Sequence, residues 1–254
     1  MAERGPQWTS RAGFILASLG MAFGAGNIWR FPRVVAANGG GPFLIAFIIA
    51  NLVWAVPLLM IEMAMGKSTR LGTVGAFRDF VGRKRTWMGA WVGACAVLIM
   101  VYYSVVTGWA LRYLAFGAAG TIRPGLDSEA LWRGFLASPL ETVAFHLLAI
   151  VIAGAIIIRG VQKGLEKACA IIVPSIIVTL LIVTVWGLSQ PGAVGGLEFL
   201  FRPDLGGLLK ARTWLNAFSQ AAWSVGAGWG LMLTYAVYLK PKDDIAANSF
   251  IIAF

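Results

Sequence analysis

The sequence predicts an all-α, multi-pass membrane helical bundle, and three observations carry that prediction. Hydrophobic residues make up 59% of the 254 and charged residues only 13%, with a mean hydropathy of +0.78; a soluble domain carries about twice that charge. The apolar residues also arrive in blocks close to the ~20 residues a helix needs to cross a bilayer. Two of those blocks carry clustered glycines about halfway along, where a simple span has no use for them.

Segment one covers residues 12–37 and contains "GMAFGAGNIWRFP" at 20–32. Counted from Ala12, Gly24 lies roughly 18 Å along a helix rising about 1.5 Å per residue. That is near the middle of a hydrocarbon core about 30 Å thick. Helix-weakening residues are tolerated at such depth where the freed backbone groups line something polar. The block is too long for a secretory signal and lacks a small-residue cleavage site, so it is a retained span. "NGGGP" at 38–42 is a tight turn, with Pro42 suited to a helix start. Segment two then runs over 42–66 and segment three over 87–117. Segments four, five and six follow at 141–159, 168–188 and 213–239, and a seventh begins at Ile245. The loops at 118–140 and 189–212 hold turn material, "RPGLDS" and "SQPGAVGGLEF", with room for short helices over one face.

The net charge of +10 is distributed in alternate loops. "GKSTRLGTVGAFRDFVGRKR" holds six basic residues against one acidic, and "RGVQKGLEK" adds Arg159, Lys163 and Lys167. With Arg4, Arg11, Lys240 and Lys242 they put thirteen of the 21 basic residues on one side, against five in the two opposite loops. The positive-inside bias therefore predicts a cytoplasmic amino terminus. This placement, and the lack of any nucleic-acid-binding signature, argue against a nucleic-acid partner; the partner is the lipid bilayer. Cys95 and Cys169 sit in apolar runs as small hydrophobes. His146, the single histidine, sits in "FHLLAIVIAGAIII" without nearby ligands and is expected to pack or hydrogen-bond structurally. No nucleophile–base pair, metal cluster or paired carboxylate shares a face, so an enzyme is not expected. Nothing in the sequence points to an oligomeric state.

Segment six, "WLNAFSQAAWSVGAGWGLMLTYAVYL", is interrupted by Gly226, Gly228 and Gly230 at the depth at which segment one loses its side chains. The two lie five segments apart and so enter from opposite faces, the arrangement of an inverted repeat whose broken helices form a midplane site. An unwound turn exposes carbonyl oxygens, and the half-helix after it offers N–H groups at its positive end. Carbonyls suit Na⁺ and N–H groups suit a carboxylate. Asn27 adds an amide oxygen beside the first break and Ser224 a hydroxyl beside the second. Glu62 is an intramembrane carboxylate, functional by default or an anchor of segment two against the unwound first segment.

These motifs resemble the neurotransmitter:sodium symporter family, the LeuT fold. The resemblance starts with "GFILASLGMAFGAGNIWRFPRVVAANGGGPFLIAF" and continues through "PLLMIEMAMG", "VYYSVVTGW", "RGVQKGLEK", "LEFLFRPD" and "WSVGAGWG". It implies a sodium-coupled symporter of the prokaryotic plasma membrane working by alternating access, with residues 11–188 as a first five-helix repeat and 213–254 as the start of the inverted second. It implies one Na⁺ held by the backbone carbonyl of Ala22 and the side chains of Asn27 and Ser224, its shell completed by the substrate carboxylate. A second Na⁺ would use the carbonyls of Gly20 and Phe23. The carboxylate would meet N–H groups near Ala25 and Gly26 and the hydroxyl of Tyr103. Ile99, Gly226 and Trp229 would line the side-chain pocket, Trp223 would form its aromatic lid, and Arg30 the outer gate, paired with an acidic residue on a tenth helix.

Amine carriers of the family have an aspartate where this chain has Gly24, so the implied substrate brings its own carboxylate: a mid-sized neutral or aromatic amino acid. Phe47 stands where chloride-dependent members usually have a tyrosine, which counts against chloride. Gly5 replaces an inner-gate arginine, with Arg4 adjacent. Family members have eleven or twelve spans and this chain stops at Phe254, so the resemblance implies a piece of a longer transporter. A non-transporting sensor or an inactive truncated relative is the alternative.

Overall fold

A computed structural model of the protein describes residues 7–24 and 26–254; Arg4, Gly5 and Ala25 lie outside the described residues. The described elements are helical throughout, in the order α1 (Arg11–Ala22), α2 (Phe31–Ala37), α3 (Gly41–Thr69), α4 (Thr73–Phe80), α5 (Arg83–Ala118), α6 (Ser128–Leu136), α7 (Pro139–Ile157), α8 (Val161–Leu188), α9 (Ala193–Phe201), α10 (Leu205–Leu208), α11 (Ala211–Val225), α12 (Leu231–Ala236) and α13 (Ile245–Ala253). Among the described residues, four of them (α3, α5, α7 and α8) are long and apolar enough to cross a membrane. Segments one and six fall short of that length because each is two half-helices, α1 with α2 and α11 with α12. The loops at 118–140 and 189–212 do fold into the short helices their turn material leaves room for, α6, α9 and α10.

The chain divides into two compact units. The first comprises the described residues up to Gly93 together with Val161–Phe254, and the second is Ala94–Gly160. In the first unit, α1 is started by Ser10, whose hydroxyl accepts from the Gly13 N–H at 2.9 Å, satisfying one orphan donor of the first turn. Its apolar face (Phe14 and Ala17, fully buried) joins a core with Trp8, Phe43, Leu59, Met63 and Met232. Trp8 ties the stretch before α1 to the end of segment six: its indole N–H donates to the Tyr235 carbonyl at 3.0 Å, and its backbone N–H to that of Tyr238 at 3.1 Å.

Helices α3 and α12 pack closely at Gly66. A Cβ added there would lie 2.0 Å from the Leu233 carbonyl oxygen, which is backbone and has nowhere to retreat. Gly66→Ala is expected to cost about 2 kcal/mol or more through overpacking, and to lower the apparent melting midpoint in detergent. A melting curve superimposable on the parent's would show that the two helices have slack between them.

In the second unit, Asp127 caps α6 by accepting from the N–H groups of Glu129 and Ala130 at 3.0 and 2.9 Å. Helices α5 and α7 are joined there by an ion pair between Arg112 and Glu141.

Candidate functional site

The first break follows Ala22. Phe23 still donates its N–H to the Leu19 carbonyl at 2.7 Å, the helix then stops, and wide helical turns resume over Gly26–Arg30 before α2. The second break follows Val225. Gly226, Gly228 and Gly230 all have positive φ, at 64°, 88° and 70°. A residue with a Cβ pays roughly 1–2 kcal/mol to sit in that region, so three glycines in five residues release the chain from the helix at little cost and start it again at Leu231.

Asn27 joins the two breaks. Its Nδ2 donates to the Ala22 carbonyl at 2.7 Å and to the Ser224 carbonyl at 3.1 Å, while its Oδ1 accepts from Ser224 Oγ at 2.5 Å. One side chain thus gathers the end of α1, the start of the wide turn and the end of α11. Sequence reasoning did not find Gln220, which is fully buried. Its Nε2 donates to Ser224 Oγ at 3.1 Å and lies 3.5 Å from Asn27 Oδ1. The signal was available: Gln220 stands four residues before Ser224, on the same face of an apolar helix.

Arg30 continues this network. Its Nη1 donates to Gln220 Oε1 and its Nη2 to Ser219 Oγ at 3.2 Å, with the guanidinium 5.9 Å from the Trp223 ring centre. Trp223 in turn meets Trp229 edge to face, ring centres 4.7 Å apart at 89°. The helix-one arginine and the two tryptophans therefore share one corner of the site; Gly226, at the break, is buried.

Glu62 corrects an expectation. It anchors α3 against the sixth segment rather than the first. Its Oε1 accepts from the N–H groups of Gly228 and Gly230 at 2.7 and 3.2 Å, and its Oε2 from that of Leu233 at 3.2 Å. These are the donors that unwinding leaves orphaned, met by a negative charge at the positive end of α12. Eight residues on, just past the end of α3, Arg70 donates through Nη1 to the carbonyls of Val237 and Leu239, each at 2.5 Å. Helix α3 thereby holds α12 at both ends with the matching charge.

A cavity of about 350 Å³ opens beside Asn27 and Ser224, lined also by Ala22, Phe23, Phe31 and Phe47. Phe31 packs edge to face on Phe47, ring centres 5.1 Å apart. Gly20, one turn before the break, faces Cys169 and Val173 of α8. Ile99 and Tyr103 belong to the second unit, both half-buried on α5. The donor set at the breaks is one of carbonyl, amide and hydroxyl oxygens, which suits a hard alkali cation; among the described residues no three His, Cys, Asp or Glu side chains group as metal ligands.

The signature of the sodium:neurotransmitter symporter family matches residues 5–123 and 138–254. The chain is 32% identical over 254 residues to the uncharacterized sodium-dependent transporter YhdH of Bacillus subtilis, covering 98% of this chain and 56% of that protein. It is 34% identical over 251 residues to the uncharacterized sodium-dependent transporter MJ1319 of Methanocaldococcus jannaschii, covering 95% and 51%. The crystal structure of MhsT in complex with L-phenylalanine superposes with a TM-score of 0.88 at 32% identity, over 98% of this chain and 57% of that one. The chain thus spans about half the length of the relatives it matches. With the two glycine breaks, the Asn27 bridge between them and this match along nearly its whole length, the chain belongs to the sodium:neurotransmitter symporter family.

Proposed function

We propose that the protein works in a sodium-coupled symporter of neutral amino acids by alternating access, in a prokaryotic plasma membrane with the amino terminus inside. The observation that carries this reading is the junction of the two breaks at Asn27, where the Ala22 carbonyl, the Ser224 carbonyl and the Ser224 hydroxyl all lie within 3.1 Å of one amide. A Na⁺ there would be held by the Ala22 carbonyl and the side chains of Asn27 and Ser224, and a second by the carbonyls of Gly20 and Phe23.

Glu62 already occupies the N–H groups of the second break. In keeping with the family resemblance, the substrate carboxylate meets N–H groups of the first break, near Ala25 and Gly26. Shared between the first Na⁺ and these donors, it makes substrate and ion stabilise each other's binding, and that coupling is reciprocal. Gly226 and Trp229 line the side-chain pocket, Trp223 closes over it, and Arg30 stands at the outer gate. The bound L-phenylalanine of the MhsT structure supports a neutral or aromatic amino acid. Phe47 presents no hydroxyl to the cavity it lines, so chloride is not part of this proposal. Residues 11–188 form the first repeat and 213–254 begin the second.

The test is uptake of labelled amino acids into proteoliposomes that hold the protein as its gene encodes it. Uptake of a neutral amino acid driven by an inward Na⁺ gradient, and abolished when K⁺ replaces Na⁺, is the expected result. Sodium-dependent binding without flux would identify a sensor instead, and uptake indifferent to Na⁺ would overturn the reading.

A further inference from the structure

Six basic residues lie between Gly66 and Arg85, and the structure divides them into two sets. Lys67 donates through Nζ to the Asp243 carbonyl at 2.7 Å, and Arg70 to those of Val237 and Leu239. Arg78 pairs at 2.6 Å with Asp79, the single acidic residue of the stretch. Arg83, Lys84 and Arg85 remain. They are consecutive and exposed, and their side chains form no ion pair or hydrogen bond among the described residues.

Nothing in the helix they open accounts for them. The three residues form the first turn of α5, where basic side chains oppose the positive end of the helix dipole. The turn is of the tight 3₁₀ kind. With three residues per turn and about 2 Å of rise each, its side chains fan out about 120° apart at nearly one level. Further along, α5 packs on α4 through Gly89, where a Cβ would lie 2.5 Å from the Thr73 carbonyl oxygen. Trp87 and Trp91 stand two residues either side of Gly89, about 200° round the helix. Both rings therefore face away from α4, and the two residues are 65% and 67% exposed. They lie about 6 and 12 Å beyond Arg83 along the helix. The polar zone of a bilayer is roughly 5–8 Å deep on each side. With the charged turn among the headgroups, Trp87 thus sits at the boundary, where indole rings concentrate, and Trp91 among the upper acyl chains.

We propose that the turn Arg83–Arg85, with Trp87 and Trp91, is a docking surface for anionic phospholipid, gathering negatively charged headgroups round the mouth of α5. Cations fanned out at one level match a plane of headgroups. A soluble phosphate needs donors that converge on one point, and this turn spreads them. The anionic layer is favoured twice, by the three cations and by the positive end of the helix beneath them. The tryptophans set the depth at which the two meet. This surface uses none of the residues at the two breaks and does not depend on how they are read.

The test is quenching of tryptophan emission by brominated lipid in phosphatidylcholine vesicles that hold the protein as its gene encodes it. Brominated phosphatidylglycerol and brominated phosphatidylcholine are compared at equal mole fraction. The part of the quenching that is lost in the Trp87→Phe/Trp91→Phe variant isolates this face. Each headgroup meets about one of the fanned cations, so phosphatidylglycerol is expected to be favoured there about fivefold. Arg83→Gln/Lys84→Gln/Arg85→Gln is expected to bring that ratio to about one, and high salt to lower it in the parent. Arg83→Lys/Arg85→Lys retains the charge and is expected to keep the ratio. Arg123→Gln, in the loop at 118–140, leaves it unchanged. A ratio of about one in the parent, or a parent-like ratio in the triple glutamine variant, overturns the proposal. Should that variant fail to fold, a parent ratio indifferent to salt overturns it instead. Two further results do the same: rings that neither lipid quenches, which are covered by protein, and loss of the ratio in Arg83→Lys/Arg85→Lys, which marks a shaped site for a single phosphate.

Discussion

Glu62→Ala is expected to be the most destabilising single substitution in the site. It strips the acceptor from three backbone donors, Gly228, Gly230 and Leu233, in a stretch that has no helical partner for them. Gly228 is exposed and water can take its N–H, whereas Gly230 and Leu233 are buried; each buried donor left unmet costs ~1–3 kcal/mol. Allowing for relaxation and non-additivity, a loss of about 4 kcal/mol is expected, which lowers a melting midpoint by roughly 10 °C for a chain of this size. Glu62→Gln is expected to fall about halfway, since its carbonyl serves one side of the cluster while its NH₂ faces the Leu233 N–H. Thermal melts of the three proteins in one detergent decide the matter. If Glu62→Ala melts within ~2 °C of the parent, water is satisfying the second break and the anchoring account is wrong.

Asn27→Ala is expected to behave in the opposite way, sparing the fold and spoiling the response to sodium. It removes two N–H donations, to Ala22 and Ser224, and one acceptor of the Ser224 hydroxyl. The carbonyls it leaves lie next to a cavity that water can enter. The cost to stability is therefore about 1 kcal/mol. Loss of one ligand from a Na⁺ site is expected to weaken apparent Na⁺ affinity by roughly 10- to 100-fold. Asn27→Asp keeps an oxygen at the position and is expected to lose less. The measurement is the Na⁺ concentration giving half-maximal amino-acid binding. Equal values for parent and Asn27→Ala would remove Asn27 from the ion site.

The sequence made the breaks legible because they are a local property. Clustered glycines at mid-span weaken a helix whatever surrounds them, and positive φ at Gly226, Gly228 and Gly230 follows from the missing Cβ. The hard-oxygen chemistry at Asn27 and Ser224 could be read from residue type. Gln220 escaped because an amide in a helix shows its function only through its neighbours. The acidic partner that the resemblance gives Arg30 belongs to a tenth helix that this stretch does not include; within it Arg30 meets an amide, a hydroxyl and a ring across the two segments.

By itself, the sequence determined that the chain is helical, that it lives in a membrane, that segments one and six are interrupted, and which family's motifs it carries. Those follow from composition, span length and backbone sterics, which act within a few residues of one another. The tertiary structure alone decided which segment Glu62 serves. A carboxylate can satisfy any orphaned N–H, and both breaks offer them. The choice falls to the close approach of α3 to α12 at Gly66, a contact between residues far apart in the chain. It puts Glu62 beside the start of α12 and Arg70 beside its end, where each meets backbone groups of the opposite partial charge.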